Sequence, residues 1–190
     1  PDDFVHWLRR RGADCSGQEI VDRRSLGAWL ENKLLETSLR AAQLDIPFTV
    51  RAATRMTDLM HREDACLVGL DDGDRLRCDA VVLAAGGISS GDALATRELT
   101  QRLSLRGVCM PDPLGFGWVT ERNGAAIGAD GRTRRLYVLG PARRQGRRGT
   151  PVPELRRQAA ELAPVLVRAS AVADRVRRLA RARAPFAPIV

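Results

Sequence analysis

Ala85-Gly86-Gly87 closes the apolar run Asp79–Gly87, and Gly140-Pro141 closes a second run, Arg135–Pro141. Both runs are β-branched or aliphatic and do not alternate, as expected of strands buried on both faces in a sheet covered by helices. Glycine at a strand's carboxyl end has no side chain to block a large planar ligand that lies against the backbone. In open α/β sheets that edge is where nucleotide cofactors sit. Thr150-Pro151-Val152-Pro153-Glu154 then reads as a helix start, with Thr150 as N-cap and Pro151 in the first turn. Because neither proline has an N–H, the free donors there are chiefly those of Val152 and Glu154, placed to hold a ring carbonyl or a phosphate. Arg143, Arg144, Arg147 and Arg148 precede that helix. Their forks suit phosphate, and equally a solvated basic loop.

Little else in the chain has the types and spacing for chemistry. No Ser-His-Asp or Cys-His order is readable. His6 and His61 have no spaced partner, and Cys15, Cys66, Cys78 and Cys109 form no CxxC, so no metal site is expected. Asp71, Asp72 and Asp74 read as turn formers. Gly86-Gly87-Ile88-Ser89-Ser90-Gly91 does not fit GxGxxG. No catalytic side chain is assigned, and any reaction is expected to be a cofactor's, with the protein positioning it.

The elements that must position these residues emerge from pattern. Asp2–Leu8 opens a short helix that Gly12 ends, and a second helix runs from about Ser25 to Gln43 with Leu26, Trp29, Leu30, Leu34, Leu39 and Ala42 as its apolar stripe. Ile46–Arg51 reads as a short strand. Thr54–Met60, Ala65–Leu70 and Arg75–Cys78 read as a β-meander whose Asp72-Gly73 turn is a hairpin signal. The meander returns the chain to the buried run Ala80–Ala85. Ser90–Leu105 is a weak helix, residues 118–134 a hairpin with turns at Asn123-Gly124 and Asp130-Gly131, and Leu136–Leu139 the second buried strand. A long helix from Thr150 closes the chain, with a kink expected at Pro164. The expected class is α/β, a partial Rossmann-like fold with an antiparallel meander insert and a long C-terminal helix. Residues 1–46 are expected as a helical segment, 47–183 as a partial dinucleotide-binding domain and 184–190 as a tail.

The net charge of +8 over 190 residues does not by itself imply a nucleic-acid partner. Every basic residue but Lys33 is arginine, as codon bias in a GC-rich genome would produce throughout a chain. Aromatic residues are 4% of the chain, too few for a base-stacking surface. No apolar run approaches the ~18 residues of a membrane span, and the thiols read as reduced, so a cytoplasmic protein is expected.

Taken in order, these segments resemble the bacterial FAD/NAD(P)-binding proteins of the two-dinucleotide-binding-domain flavoprotein class, relatives of flavin monooxygenases and of lysine and ornithine hydroxylases. Asp79–Gly86 is similar to that class's "ATG" strand, with Ala85 where threonine is usual. Pro111-Asp112-Pro113-Leu114-Gly115-Phe116-Gly117 resembles its Asp-Pro-Leu-Gly loop. Arg135–Pro141 resembles its late strand and Thr150–Arg156 its Val-Pro-Glu-Leu-Arg helix start, while Pro1–Phe4 and Asp22–Leu30 resemble its middle region. The resemblance implies FAD as cofactor, a reduced nicotinamide nucleotide, NAD(P)H, as reductant, and Ala85, Gly86, Gly87, Gly140, Pro141, Thr150, Val152 and Glu154 along the flavin. It also implies that a first strand and its glycine loop precede this segment in a longer protein. Pro141 stands where the wider class often carries an aspartate, and Arg144–Gly149 departs from the aromatic-acidic sequence expected there. An inactive remnant and a basic binding module are the competing readings. The flavoprotein expectation requires that the two runs lie side by side with their tips at one crevice.

Overall fold

A computed structural model describes residues 4–12, 23–62, 65–84, 93–113, 117–143 and 152–183. The chain divides into two compact units, residues 1–52 and 53–190.

The first unit is a pair of helices, α1 (Phe4–Arg10) and α2 (Arg23–Gln43). Trp7 and Leu8 are its buried residues in α1, and Phe4 brings Trp7 and Trp29 together, with ring centroids 6.1 and 5.4 Å from its own. The Arg11 guanidinium lies 4.7 Å from the Trp7 ring centre, a cation–π contact. A helix as short as α1 covers little of α2. Leu26, Leu30, Leu34 and Leu39, expected as a core stripe, are therefore exposed. Ile46–Arg51 forms no strand, contrary to its reading. Instead Asp45 takes a left-handed conformation (φ 51°), and Ile46 donates to the Ala41 carbonyl at 2.9 Å, closing α2 with a Schellman cap. That cap engages the backbone with which the strand was expected to begin.

The second unit is α/β. Its meander is β1 (Met56–His61), β2 (Cys66–Leu70) and β3 (Arg75–Cys78), antiparallel in the order β1-β2-β3. A bulge at Met56/Asp58 shifts the register. The chain then passes to a second three-stranded sheet through β4 (Val81–Leu83). Helix α3 (Ala93–Leu105) comes next, then β5 (Ala125–Ile127), β6 (Thr133–Val138), a 3-10 turn at Gly140–Ala142 and α4 (Val152–Arg183). Sheet order is β4-β6-β5. β4 runs parallel to β6, with Val81 opposite Leu136, Val82 opposite Tyr137 and Leu83 opposite Val138. β5 is antiparallel to β6, and their hairpin turns at the expected Asp130-Gly131, where φ is 73°.

β6 is covered on both faces. Leu136 and Val138 point into the main core with Leu59, Cys66 and Val68 of the meander, Leu99 and Leu103 of α3, and Trp118. Tyr137 points the other way, onto Leu162, Val165 and Leu166 of α4. This explains why the run does not alternate. β4 departs from the expectation of double burial: Val81 and Leu83 pack on the core, but Val82 is 39% exposed. An edge strand with one neighbour lacks the cover that β6 receives. No described helix is long and apolar enough to cross a membrane.

Leu103 is wholly buried where α3 meets both sheets. Leu103→Ala should lower unfolding free energy by ~2–5 kcal/mol in urea titration. Burial pushes the Cys66 thiol up to about 11 and the Cys109 thiol to about 12. Both should resist alkylation in the native chain at neutral pH and react once it is unfolded, as peptide mapping after iodoacetamide labelling would register.

Candidate site at the carboxyl edge of the parallel pair

The carboxyl ends of β4 and β6 lie next to each other. The ladder continues one residue past β6, where the Leu139 N–H donates to the Leu83 carbonyl at 2.9 Å. The two apolar runs are thus parallel neighbours in register. Of the site residues expected on the β4 side, Ala85, Gly86 and Gly87 lie outside the described residues, as does Thr150 before α4. Val152 is the first residue of α4. Gly140, Pro141 and Glu154 can be placed in full.

Gly140 has φ +83°, a conformation that disfavours side chains, and it turns the chain from β6 into the 3-10 turn. Its N–H donates to Gln158 Oε1 at 2.9 Å, and an added Cβ would meet Leu155 Cδ2 at 3.4 Å. Both the donor and the bare face of Gly140 are therefore engaged by α4. Gln158, 3% exposed, in turn donates from Nε2 to Glu154 Oε1 at 3.0 Å. So Gly140 and Glu154 are brought together through a glutamine that sequence reading did not single out. A signal was present: Gln158 lies between Leu155 and Leu162 on the apolar face of α4, and a polar residue there needs a partner.

Glu154 occupies the first turn of α4. Hydrogen bonds from Arg157 and Gln158 hold its carboxyl at about 2, so it stays ionised at neutral pH. Arg157 binds it through Nε and Nη2 at 2.8 and 2.6 Å and also reaches Glu161. Glu154 is thus a helix-end anion already paired on its own helix.

Arg143 is the departure from the solvated-loop reading. It is 5% exposed. Its N–H closes the 3-10 turn on the Gly140 carbonyl at 3.0 Å, and its Nη2 donates to the Arg122 carbonyl. Its Nη1 is buried with no partner among the described residues. Burial holds the guanidinium below its ordinary pKa, opposed by the charges of Glu161 and Glu154. An arginine this basic still stays protonated, so a buried cation at the end of β6 has a donor to spare. The Pro111–Gly117 loop, the second motif of the resemblance, is anchored beside it. The Trp118 N–H donates to the Ala142 carbonyl at 3.0 Å, and a Cβ on Gly117 would collide with that same carbonyl. Among the described residues no cluster of His, Cys, Asp and Glu could hold a metal.

The Gly140–Gln158 bond carries a stability prediction. Gln158→Ala should cost ~1–3 kcal/mol because it strands the buried Gly140 N–H. The exposed neighbour Arg156→Ala should stay within ~0.5 kcal/mol. Paired thermal or urea melts of the two variants check the difference.

No curated protein and no solved structure matches the chain. A family model described as FAD-NAD(P)-binding matches residues 1–88, a span that holds both helices of the first unit, the meander and β4 up to its glycines. Over residues 1–88 the chain is similar to that FAD/NAD(P)-binding family.

Proposed function

We propose that this chain contributes the later part of a Rossmann-like FAD-binding domain to a cytoplasmic, NAD(P)H-linked oxidoreductase. The observation that carries the reading is the in-register parallel pairing of β4 with β6, which sets the carboxyl ends of Leu83 and Val138 side by side at one sheet edge. In open α/β sheets dinucleotides lie beyond such an edge. The family match over residues 1–88 supports the same cofactor class.

The residues at this edge suit an anionic cofactor at one position in particular. Arg143 Nη1 is an orphaned buried donor, and a cofactor phosphate would satisfy it. Ala85, Gly86 and Gly87 would line the flavin from the β4 side. Gly140 and Pro141 would shape the β6 side as a rigid turn, because the Gly140 N–H is already held by Gln158. The first-turn N–H groups of α4 at Val152 and Glu154, with the Thr150 hydroxyl before them, would supply the remaining donors. Bound FAD would supply the redox chemistry, accepting hydride from reduced nicotinamide. The chain's part is to hold, orient and shield.

Protein expressed from the complete reading frame is the material for the test. It should purify yellow, or quench the fluorescence of added FAD saturably. Arg143→Gln should weaken FAD binding about tenfold or more, as loss of a charge-assisted bond does, in a variant whose thermal melt confirms folding. A colourless protein that leaves FAD fluorescence unchanged would overturn the reading in favour of an inactive remnant.

A further inference from the structure

A second cluster of cations lies at the other end of β6. The last residues of β1, the residues just after α3 and the start of β6 border an open pocket of about 430 Å³. His61, Arg62, Arg106 and Arg134 line it, against a floor that includes Met60 and Val108. Arg62 and Arg106 are exposed, whereas the Arg134 side chain is mostly buried, so its charge in particular calls for an anion. Two carboxylates answer in part. Arg106 Nη1 lies 2.6 Å from Asp58 Oδ2, and Arg134 Nη2 lies 2.8 Å from Asp130 Oδ1. Each leaves most of a five-donor guanidinium free.

Two buried nitrogens at this cavity have no partner among the described residues: His61 Nε2 and Arg134 Nε. The placement of Arg134 is built in. A Cβ on Gly128 would collide with its guanidinium, so the bare glycine seats that group, and the side chain is only 15% exposed. Burial, with the charges of Arg134 and Arg135, holds the His61 imidazole below its ordinary pKa, and Asp130 opposes them. The ring is therefore neutral at pH 7 and can present an N–H without adding charge. Glu63 and Asp64 come after Arg62 in sequence and lie outside the described residues.

From the convergence of His61, Arg62, Arg106 and Arg134 on one cavity, we infer that this pocket binds the phosphate group of a small phosphorylated molecule. Arginine forks match phosphate geometry, and the guanidinium nitrogens of Arg62, Arg106 and Arg134 that the two carboxylates leave over can donate to a tetrahedral oxyanion. The pocket leaves room beside a phosphate for the rest of a small molecule. At ~3.3 Å per residue, Arg134 lies about 13 Å along β6 from Val138. The group bound here is therefore not one held beside Gly140.

The experiment uses the two histidines as reporters. The 190-residue chain, labelled for histidine ring NMR, is titrated with inorganic phosphate at fixed ionic strength, and in parallel with acetate and with ribose 5-phosphate. The His61 ring signals should move saturably with both phosphates, its pKa should rise as the dianion binds, and the His6 signals should stay put. Ribose 5-phosphate should bind more tightly than inorganic phosphate. Arg134→Gln should weaken binding about tenfold or more. Gly128→Ala, which keeps every charge but displaces Arg134, should do likewise, while a cooperative thermal melt like the parent chain's reports an intact second unit. The inference is overturned if His61 does not respond up to ~10 mM phosphate, a millimolar ceiling on affinity. It is equally overturned if acetate shifts His61 as phosphate does, or if both variants bind phosphate like the parent chain.

Discussion

The second unit depends on the enclosure of β6. This strand is flanked on one edge by the parallel β4 and on the other by the antiparallel β5. Its alternate side chains enter two different apolar layers, one shared with the meander and α3, the other with α4. A strand with both edges paired and both faces covered has its register fixed, because a slip by one residue would exchange Leu136 and Val138 for Tyr137 in each layer. That fixed register places the chain on either side of β6. The hairpin from β5 sets Arg134 at one end, and the 3-10 turn sets Gly140 and Arg143 at the other.

The two ends differ in how their polar groups are answered. At the Gly140 end, a chain of hydrogen bonds runs from a backbone N–H through Gln158 to Glu154 and on to Arg157. Such a network is internally satisfied and holds α4 to the turn. Arg143 stands beside it as a buried cation with a donor left over. At the Arg134 end, carboxylates meet part of Arg106 and of Arg134, and His61 Nε2 and Arg134 Nε are buried with no partner among the described residues. Buried polar groups without partners are uncommon in folded chains; among the described residues they include His61 Nε2, Arg134 Nε and Arg143 Nη1, with others on Trp29, Ser104 and Trp118.

Much of the architecture was legible in the residues. The meander, its Asp-Gly turn, the hairpin at Asp130-Gly131 and the long last helix arise from alternation, turn chemistry and helical periodicity, all of which are local. The parallel pairing of the two runs was legible because neither run alternates. What local pattern misses is cover. The leucines of α2 have helical spacing, yet the first unit offers them no partner layer. Ile46 begins an apolar stretch but is taken up in a helix cap. Val82 sits in a run as apolar as β6 and stays exposed, because its strand is an edge. At the site, sequence did not show that Arg143 is buried, and Arg144, Arg147 and Arg148 lie outside the described residues. Gln158 was readable in principle, as the polar member of an apolar helix face.

The span recognised by family and the span that folds together do not coincide. Residues 1–88 take in β4, yet the strand that β4 pairs with begins at Thr133. A polypeptide cut at the limit of the recognised segment would keep β4 and discard its partner, leaving a bare row of amides and carbonyls beside a half-covered apolar face. Such an edge recruits other chains. Dissection at that point would therefore yield self-associating material, whereas a boundary drawn after the helix that clamps Gly140 keeps the parallel pair whole.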